Sequence, residues 1–276
     1  MKGIIGLLII AMAAVMVACA GKKKEETGSP KSIVIYYSQN GTTKALAETI
    51  QLLTGSDMEA IEAEEPYAGN FEETIARVKA EREANTLPKL KPLKANLDDY
   101  EIVDLGYPIW FGTFAPPMAA FVKDANLEGK KVVPFCTFGS GGLEASIRDL
   151  KSVRPNVEFA GGYGVRTARI GAMPEEVGRF LIENGYVEGK VEPLPEYSEQ
   201  KPVTEAETAI FNAACGDYEY PLGTPVAVGK RATSKGTDYK YAVKSQSPDG
   251  SVVEATIYVT VGNEENAKPE FTRVDR

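Results

Sequence analysis

Three short stretches of this chain carry residue types that could hold a ligand. The first is Ser38-Gln39-Asn40-Gly41-Thr42-Thr43, a loop of hydroxyls, amides and one glycine. It lies between an apolar run, Ser32-Ile33-Val34-Ile35-Tyr36-Tyr37, and a segment with helical periodicity. Strand, tight polar loop and helix start together make a phosphate cradle, because backbone N–H groups and the helix dipole both point at the anion. The second stretch, Pro108-Ile109-Trp110-Phe111-Gly112-Thr113, has unusually large side chains for a loop. The third, Thr137-Phe138-Gly139-Ser140-Gly141-Gly142, is rich in glycine. The chain contains no histidine. This excludes imidazole-based catalytic triads and histidine metal sites.

The elements around these stretches follow from periodicity. Residues 32–37 read as a buried strand, and residues 44–53 as a helix with Leu46, Ile50 and Leu53 on one face. Residues 57–62 alternate as a strand, and Phe71, Ile75 and Val78 recur at helical spacing. A strand at 100–107 runs into the 108–113 loop and then a helix at 115–123 with prolines in its first turn. A strand at 131–138 is followed by the glycine loop and a helix at 143–153. A weaker fifth strand covers 157–163, and a helix at 174–184 stops at Gly185. Strand and helix alternating five times predict a parallel sheet with helices on both faces. Such sheets bind ligands at the carboxyl ends of their strands. All three stretches lie there, so they are expected to meet.

The remainder is organised differently. Residues 188–203, with Pro193, Pro195 and Pro202 among charges, read as a linker. Thr204-x-x-Glu207 reads as a capping box for a helix ending at Gly216. Beyond it the period becomes two, with strands expected at 226–232, 238–245, near 253–261 and at 270–274. Residues 204–276 are therefore expected to form a small α+β domain. Hydrophobic residues make up 43% of the 276, enough for a substantial core, and the formal net charge of −8 argues against a nucleic-acid partner. Cys136 and Cys215 could form a disulfide or remain two separate thiols.

At the N-terminus, Lys2 precedes an apolar run at 3–17 that is shorter than a membrane span. Its end, Met16-Val17-Ala18-Cys19, resembles a bacterial lipoprotein cleavage site. The resemblance implies a signal peptide at 1–18, lipid modification of Cys19, and a protein anchored to a membrane of the bacterial cell envelope. The polar residues 19–30 then form a tether.

Residues 31–187 resemble the flavodoxin family. Ser38-Gln39-Asn40-Gly41-Thr42-Thr43 is similar to its FMN phosphate loop, with Thr42 standing where Asn is usual. Asp104-Leu105-Gly106-Tyr107-Pro108-Ile109-Trp110-Phe111-Gly112 is similar to the long-loop branch. The resemblance implies a flavodoxin-like, doubly wound α/β fold with a five-stranded parallel sheet of order 2-1-3-4-5. It also implies FMN as cofactor, with Pro108 to Thr113 framing the isoalloxazine ring and Thr137 to Gly142 as the second ring-side loop. Glycines at 139, 141 and 142 would let backbone approach a flat ring, and Trp110 or Phe111 would pack against it. The implied function is electron transfer, or NAD(P)H-dependent reduction of quinone-like acceptors, with a redox protein or a small molecule as partner. The alternative is an interaction module on a flavodoxin scaffold without cofactor.

Overall fold

A computed structural model describes residues 31–67, 70–218, 222–247 and 250–276. The expected signal peptide, Cys19 and the tether lie outside the described residues, as do Ala68, Gly69, Pro248 and Asp249 of two expected loops.

The N-terminal half runs β1 (Ser32–Tyr36), α1 (Thr42–Thr54), β2 (Asp57–Ala60), α2 (Phe71–Glu83), β3 (Ile102–Trp110), β4 (Thr113–Phe114), α3 (Pro116–Asp124), β5 (Lys131–Phe138), α4 (Leu143–Val153), β6 (Glu158–Phe159), β7 (Tyr163–Arg166) and α5 (Met173–Glu183). The parallel sheet has the order β2-β1-β3-β5-β6, with β7 also on β5, which is the flavodoxin-like arrangement expected. Alternation along each strand sends side chains to two cores. Ile33, Ile35, Val103, Leu105 and Tyr107 pack with Val78, Met118, Val122 and Leu150 on one face. Val34, Tyr36 and Phe135 pack with Leu46, Ile50, Val177 and Leu181 of α1 and α5 on the other. A strand buried on both faces must read as a continuous apolar run, as β1 and β5 do.

Gly106 shows how tight this packing is. It pairs with Tyr36 and Phe135 in the ladder, and a Cβ there would lie 2.2 Å from Cζ of the buried Phe135 ring. Gly106→Ala is expected to lower the unfolding free energy by about 1–3 kcal/mol through overpacking. Urea denaturation of both proteins checks this, and an unchanged midpoint would show that the ring has room to move.

Three expectations need correction. Pro108, Ile109 and Trp110 are not in a loop but belong to β3. Ile109 and Trp110 pair antiparallel with Phe114 and Thr113 of β4. Phe111 and Gly112, at φ 52° and 84°, form the two-residue turn of this hairpin. Positive φ at both central residues matches the right-handed strand twist. The expected fifth strand is broken into β6 and β7. Ala160 donates to the Val132 carbonyl, so Pro134, two residues on, faces the same neighbour and has no N–H to offer. The break falls opposite that missing rung. Finally, the linker ends as a strand, β8 (Lys201–Pro202), on the edge of the second sheet, where a proline is tolerated.

The C-terminal unit continues with α6 (Glu205–Cys215), β9 (Thr224–Thr233), β10 (Gly236–Gln246), β11 (Val252–Gly262) and β12 (Glu270–Asp275) in an antiparallel sheet of order β12-β11-β10-β9-β8. The capping box forms as expected: Thr204 Oγ1 accepts from the Glu207 N–H, and the Glu207 carboxylate accepts from the Thr204 N–H. Phe211 and Cys215 of α6 pack against Val228, Tyr241, Ile257 and Phe271 of the sheet.

Candidate functional site

The three sequence-predicted stretches come together at the carboxyl end of the parallel sheet. The start of α1 touches the end of β5 through a 2.8 Å hydrogen bond between the buried hydroxyls of Thr43 and Thr137. The glycine loop touches the hairpin: a Cβ on Gly142 would lie 2.8 Å from Cγ2 of Ile109 and 3.6 Å from the Gly112 carbonyl oxygen. The end of β1 touches the hairpin too, where Tyr37 meets Trp110 edge-on at 5.7 Å between ring centres.

Residues 38–43 are held by their own side chains. Ser38 Oγ accepts from the Gly41 N–H at 3.2 Å, and Asn40 Oδ1 accepts from the Thr42 N–H at 3.2 Å. Gln39 points away, donating to the Tyr67 carbonyl at 2.9 Å and to Thr74 Oγ1 at 2.8 Å, which ties the loop to α2. Gly41 is the N-cap of α1 at φ 89°, with no side-chain cap and no acidic residue in the first turn. Nothing lies within 4 Å of a Cβ built there. The positive end of a 13-residue helix therefore opens onto clear space.

The two aromatic candidates part company. Trp110 is half-buried, joins Tyr37 and Tyr67 in a three-ring cluster, and packs on the core. Burial pushes the Tyr37 phenol up to about 12, and burial together with a hydrogen bond to Glu81 raises Tyr67 further. Both are neutral at physiological pH. Phe111 instead sits at the hairpin tip, 45% exposed, with the Arg82 guanidinium 4.7 Å from its ring centre. A bulky residue at φ 52° is a conformational outlier, and such outliers concentrate at ligand sites.

Thr113, Thr137 and Phe138 lie deeper. Thr137 and Phe138 are buried in β5, and the Thr113 hydroxyl is buried without a partner. The rest of the glycine loop borders a cavity of ≈ 320 Å³. Ile109, Phe111 and Gly112 also line it, with Glu144 and Ala145 of α4. The remaining lining, which sequence reasoning missed, comes from the C-terminal unit: Tyr218 and residues 274–276. An alternating strand at 270–274 carries no signal for what its end will touch.

This architecture, a doubly wound parallel sheet with the candidate loops at its carboxyl edge, defines a flavodoxin-like protein. A sequence model of the flavodoxin family matches residues 31–170, half of the chain, and the chain belongs to that family. Among solved structures, a protein assigned as a flavoprotein from Bacteroides eggerthii DSM 20697 is 27% identical, with a TM-score of 0.50, over 56% of this chain and 98% of that one. A flavoprotein from Lactobacillus acidophilus NCFM, solved in complex with FMN, is 20% identical over 49% of this chain and 93% of that one, with a TM-score of 0.44. The NAD(P)H:quinone oxidoreductase from Methanothermobacter marburgensis is 12% identical over 59% of this chain and 100% of that one, with a TM-score of 0.37. A search of curated proteins returned no significant match.

Proposed function

We propose that this protein binds FMN and works as a redox protein, as an electron carrier or as an NAD(P)H-dependent reductase of quinone-like acceptors. The observation that carries the proposal is the start of α1, with a glycine at its N-cap, no carboxylate in its first turn and open space above Gly41, in a chain of the flavodoxin family. That donor set fits a phosphate monoester, which backbone N–H groups and a helix dipole can hold without arginine. The ring end fits as well. Phe111 is an exposed aromatic, and Gly112 and residues 139–142 line a cavity beside it. When bound, FMN supplies one- or two-electron transfer; the protein's part is to hold and orient it.

The roles divide by residue. Ser38 and Asn40 hold the loop by accepting from the Gly41 and Thr42 N–H groups, bonds that a bound phosphate would replace or share. Gln39, bonded to Tyr67 and Thr74, acts as a strut and not as a ligand group. The Thr43–Thr137 pair locks the phosphate end to the ring end. The acidic net charge of −8 suits a basic redox partner. Lipid attachment at Cys19 would place this chemistry at a membrane surface of the cell envelope.

Titrating the apoprotein with FMN tests the proposal. Flavin fluorescence is expected to be quenched stoichiometrically at micromolar concentration. A second reading, a cofactor-free interaction module, is favoured by one observation: the Gly139 and Ser140 carbonyls are already engaged by Arg166 and Val274. Unchanged fluorescence would select it and exclude FMN.

A further inference from the structure

The part of the cavity lining that comes from Tyr218 and residues 274–276 does not belong to the flavodoxin match, which ends at residue 170. It is brought there by a well-made junction between the two halves. The Val274 N–H donates to the Ser140 carbonyl at 2.9 Å. Gly141 bridges Val274 so closely that a Cβ on the glycine would lie 1.9 Å from the Val274 carbonyl oxygen. Arg166, at the end of β7, donates from Nε to the Gly139 carbonyl at 2.8 Å and from a terminal nitrogen to the Phe271 carbonyl. Its guanidinium lies 4.1 Å from the Phe271 ring centre. Arg169, 9% exposed, pairs with Glu176 of α5 at 2.9 Å and with Glu270 of β12 at 3.1 Å. A largely buried guanidinium is costly unless paired, so this ion pair favours one seating of β12 over others.

We propose that Tyr218 and strand β12 are part of the cofactor site, closing its ring end together with the hairpin and so retaining the flavin. This rests on the FMN reading above. Trp110, one of the two expected ring-side aromatics, is engaged with Tyr37 and Tyr67. The aromatic that lines the cavity together with Phe111 is Tyr218. Its ring packs edge-on to Phe271 at 5.3 Å, and its hydroxyl lies 3.9 Å from where a Gly139 Cβ would be. Tyr218 is therefore anchored by β12 and in turn overhangs the glycine loop. With the C-terminal unit seated, a ligand in the cavity is enclosed by both halves of the chain. With it lifted, residues 139–142 would be open to solvent on that side.

The test uses the full chain and two variants, Tyr218→Ala, which removes the overhanging ring, and Arg166→Gln, which weakens the junction. FMN release is followed as the recovery of flavin fluorescence after rapid dilution of the loaded protein to well below its dissociation constant. Circular dichroism and thermal melting check folding, and Tyr218→Ala alone decides if Arg166→Gln does not fold. Release at least tenfold faster than wild type is the expected result. Release within twofold of wild type overturns the inference and leaves the FMN reading intact. Slower release or tighter binding overturns it as well, because β12 would then compete with the flavin. A wild-type chain that binds no FMN removes both.

Discussion

Gly41→Glu is expected to abolish FMN binding while leaving the fold in place. Two effects act on the fold, and they partly offset. An L-residue at φ 89° is strained by about 1–2 kcal/mol. A carboxylate at the start of α1 gains about 0.3–1 kcal/mol from the helix dipole. Nothing lies within 4 Å of the new Cβ, so no clash adds to this. Binding is affected far more. The carboxylate would occupy the space proposed for a phosphate dianion. Two unit charges about 4 Å apart repel by about 1 kcal/mol in bulk water and by about 4 kcal/mol at an effective dielectric of 20. A dianion roughly doubles either figure. A loss of at least 100-fold, equivalent to about 2.7 kcal/mol, is expected. Gly41→Ala carries the same backbone strain without the charge and isolates it. The two variants are compared by quenching of flavin fluorescence in low and high salt, since part of the repulsion is screened. Equal affinity of Gly41→Ala and Gly41→Glu would place the phosphate somewhere other than the start of α1.

The phosphate end was legible in the sequence because its determinants are local. Ser38, Asn40 and Gly41 act on neighbours within three residues, and the strand before them and the helix after them each show their own period. The strands were legible for a related reason, because buried parallel strands are near-continuous apolar runs, while their order was implied by the resemblance to the flavodoxin family. The ring end was only half legible. Residues 108–113 were expected to form a loop in spite of their large side chains, but Trp110 extends β3 and packs on the aromatic surface that Tyr37 and Tyr67 supply. That surface is built from β1 and the segment before α2, and no window around Trp110 contains it. The split of the fifth strand needed knowledge of which way Pro134 faces, which depends on ladder register. The seating of β12 on Gly141 was the least legible. A glycine that admits a foreign carbonyl oxygen and a glycine that admits a ligand look the same in a sequence.

That ambiguity bears on function. Of the four residues 139–142, Gly139 and Ser140 give their carbonyls to Arg166 and Val274, and Gly141 carries the close approach of β12. Gly142, at φ 121°, faces Ile109 and the hairpin. The loop therefore serves two purposes. Its outer part fastens the C-terminal unit, and its inner part shapes the cavity. A substitution that loosens one is expected to disturb the other.

Asp104→Asn is expected to stabilise the protein at alkaline pH and to have little effect in acid. Asp104 lies in the middle of β3, between Val34 and Val133 in the ladder, and is 4% exposed. Burial pushes its carboxyl up to about 7, against the opposing pull of the Lys131 ammonium. The sign follows from proton linkage. The folded state holds this proton more tightly than the unfolded chain, whose carboxyl titrates near the ordinary value of 3.8. Between about pH 4 and pH 7 the unfolded state has lost the proton and the folded state has not, so stability falls as pH rises. Above about 7 the full penalty is present; below about 4 it is absent. A shift of this size corresponds to on the order of 2–4 kcal/mol. The neutral amide of Asn is nearly the same shape as the protonated acid and does not titrate. Urea denaturation at pH 4, 6 and 8.5 should therefore show wild type and variant converging at the acid end and separating at the alkaline end. Equal stabilities at pH 8.5 would mean that Asp104 is ionised at no cost, held by donors stronger than Lys131. The position two residues before Gly106 on β3 would then be a polar site in the sheet and not a buried acid carried at the expense of stability.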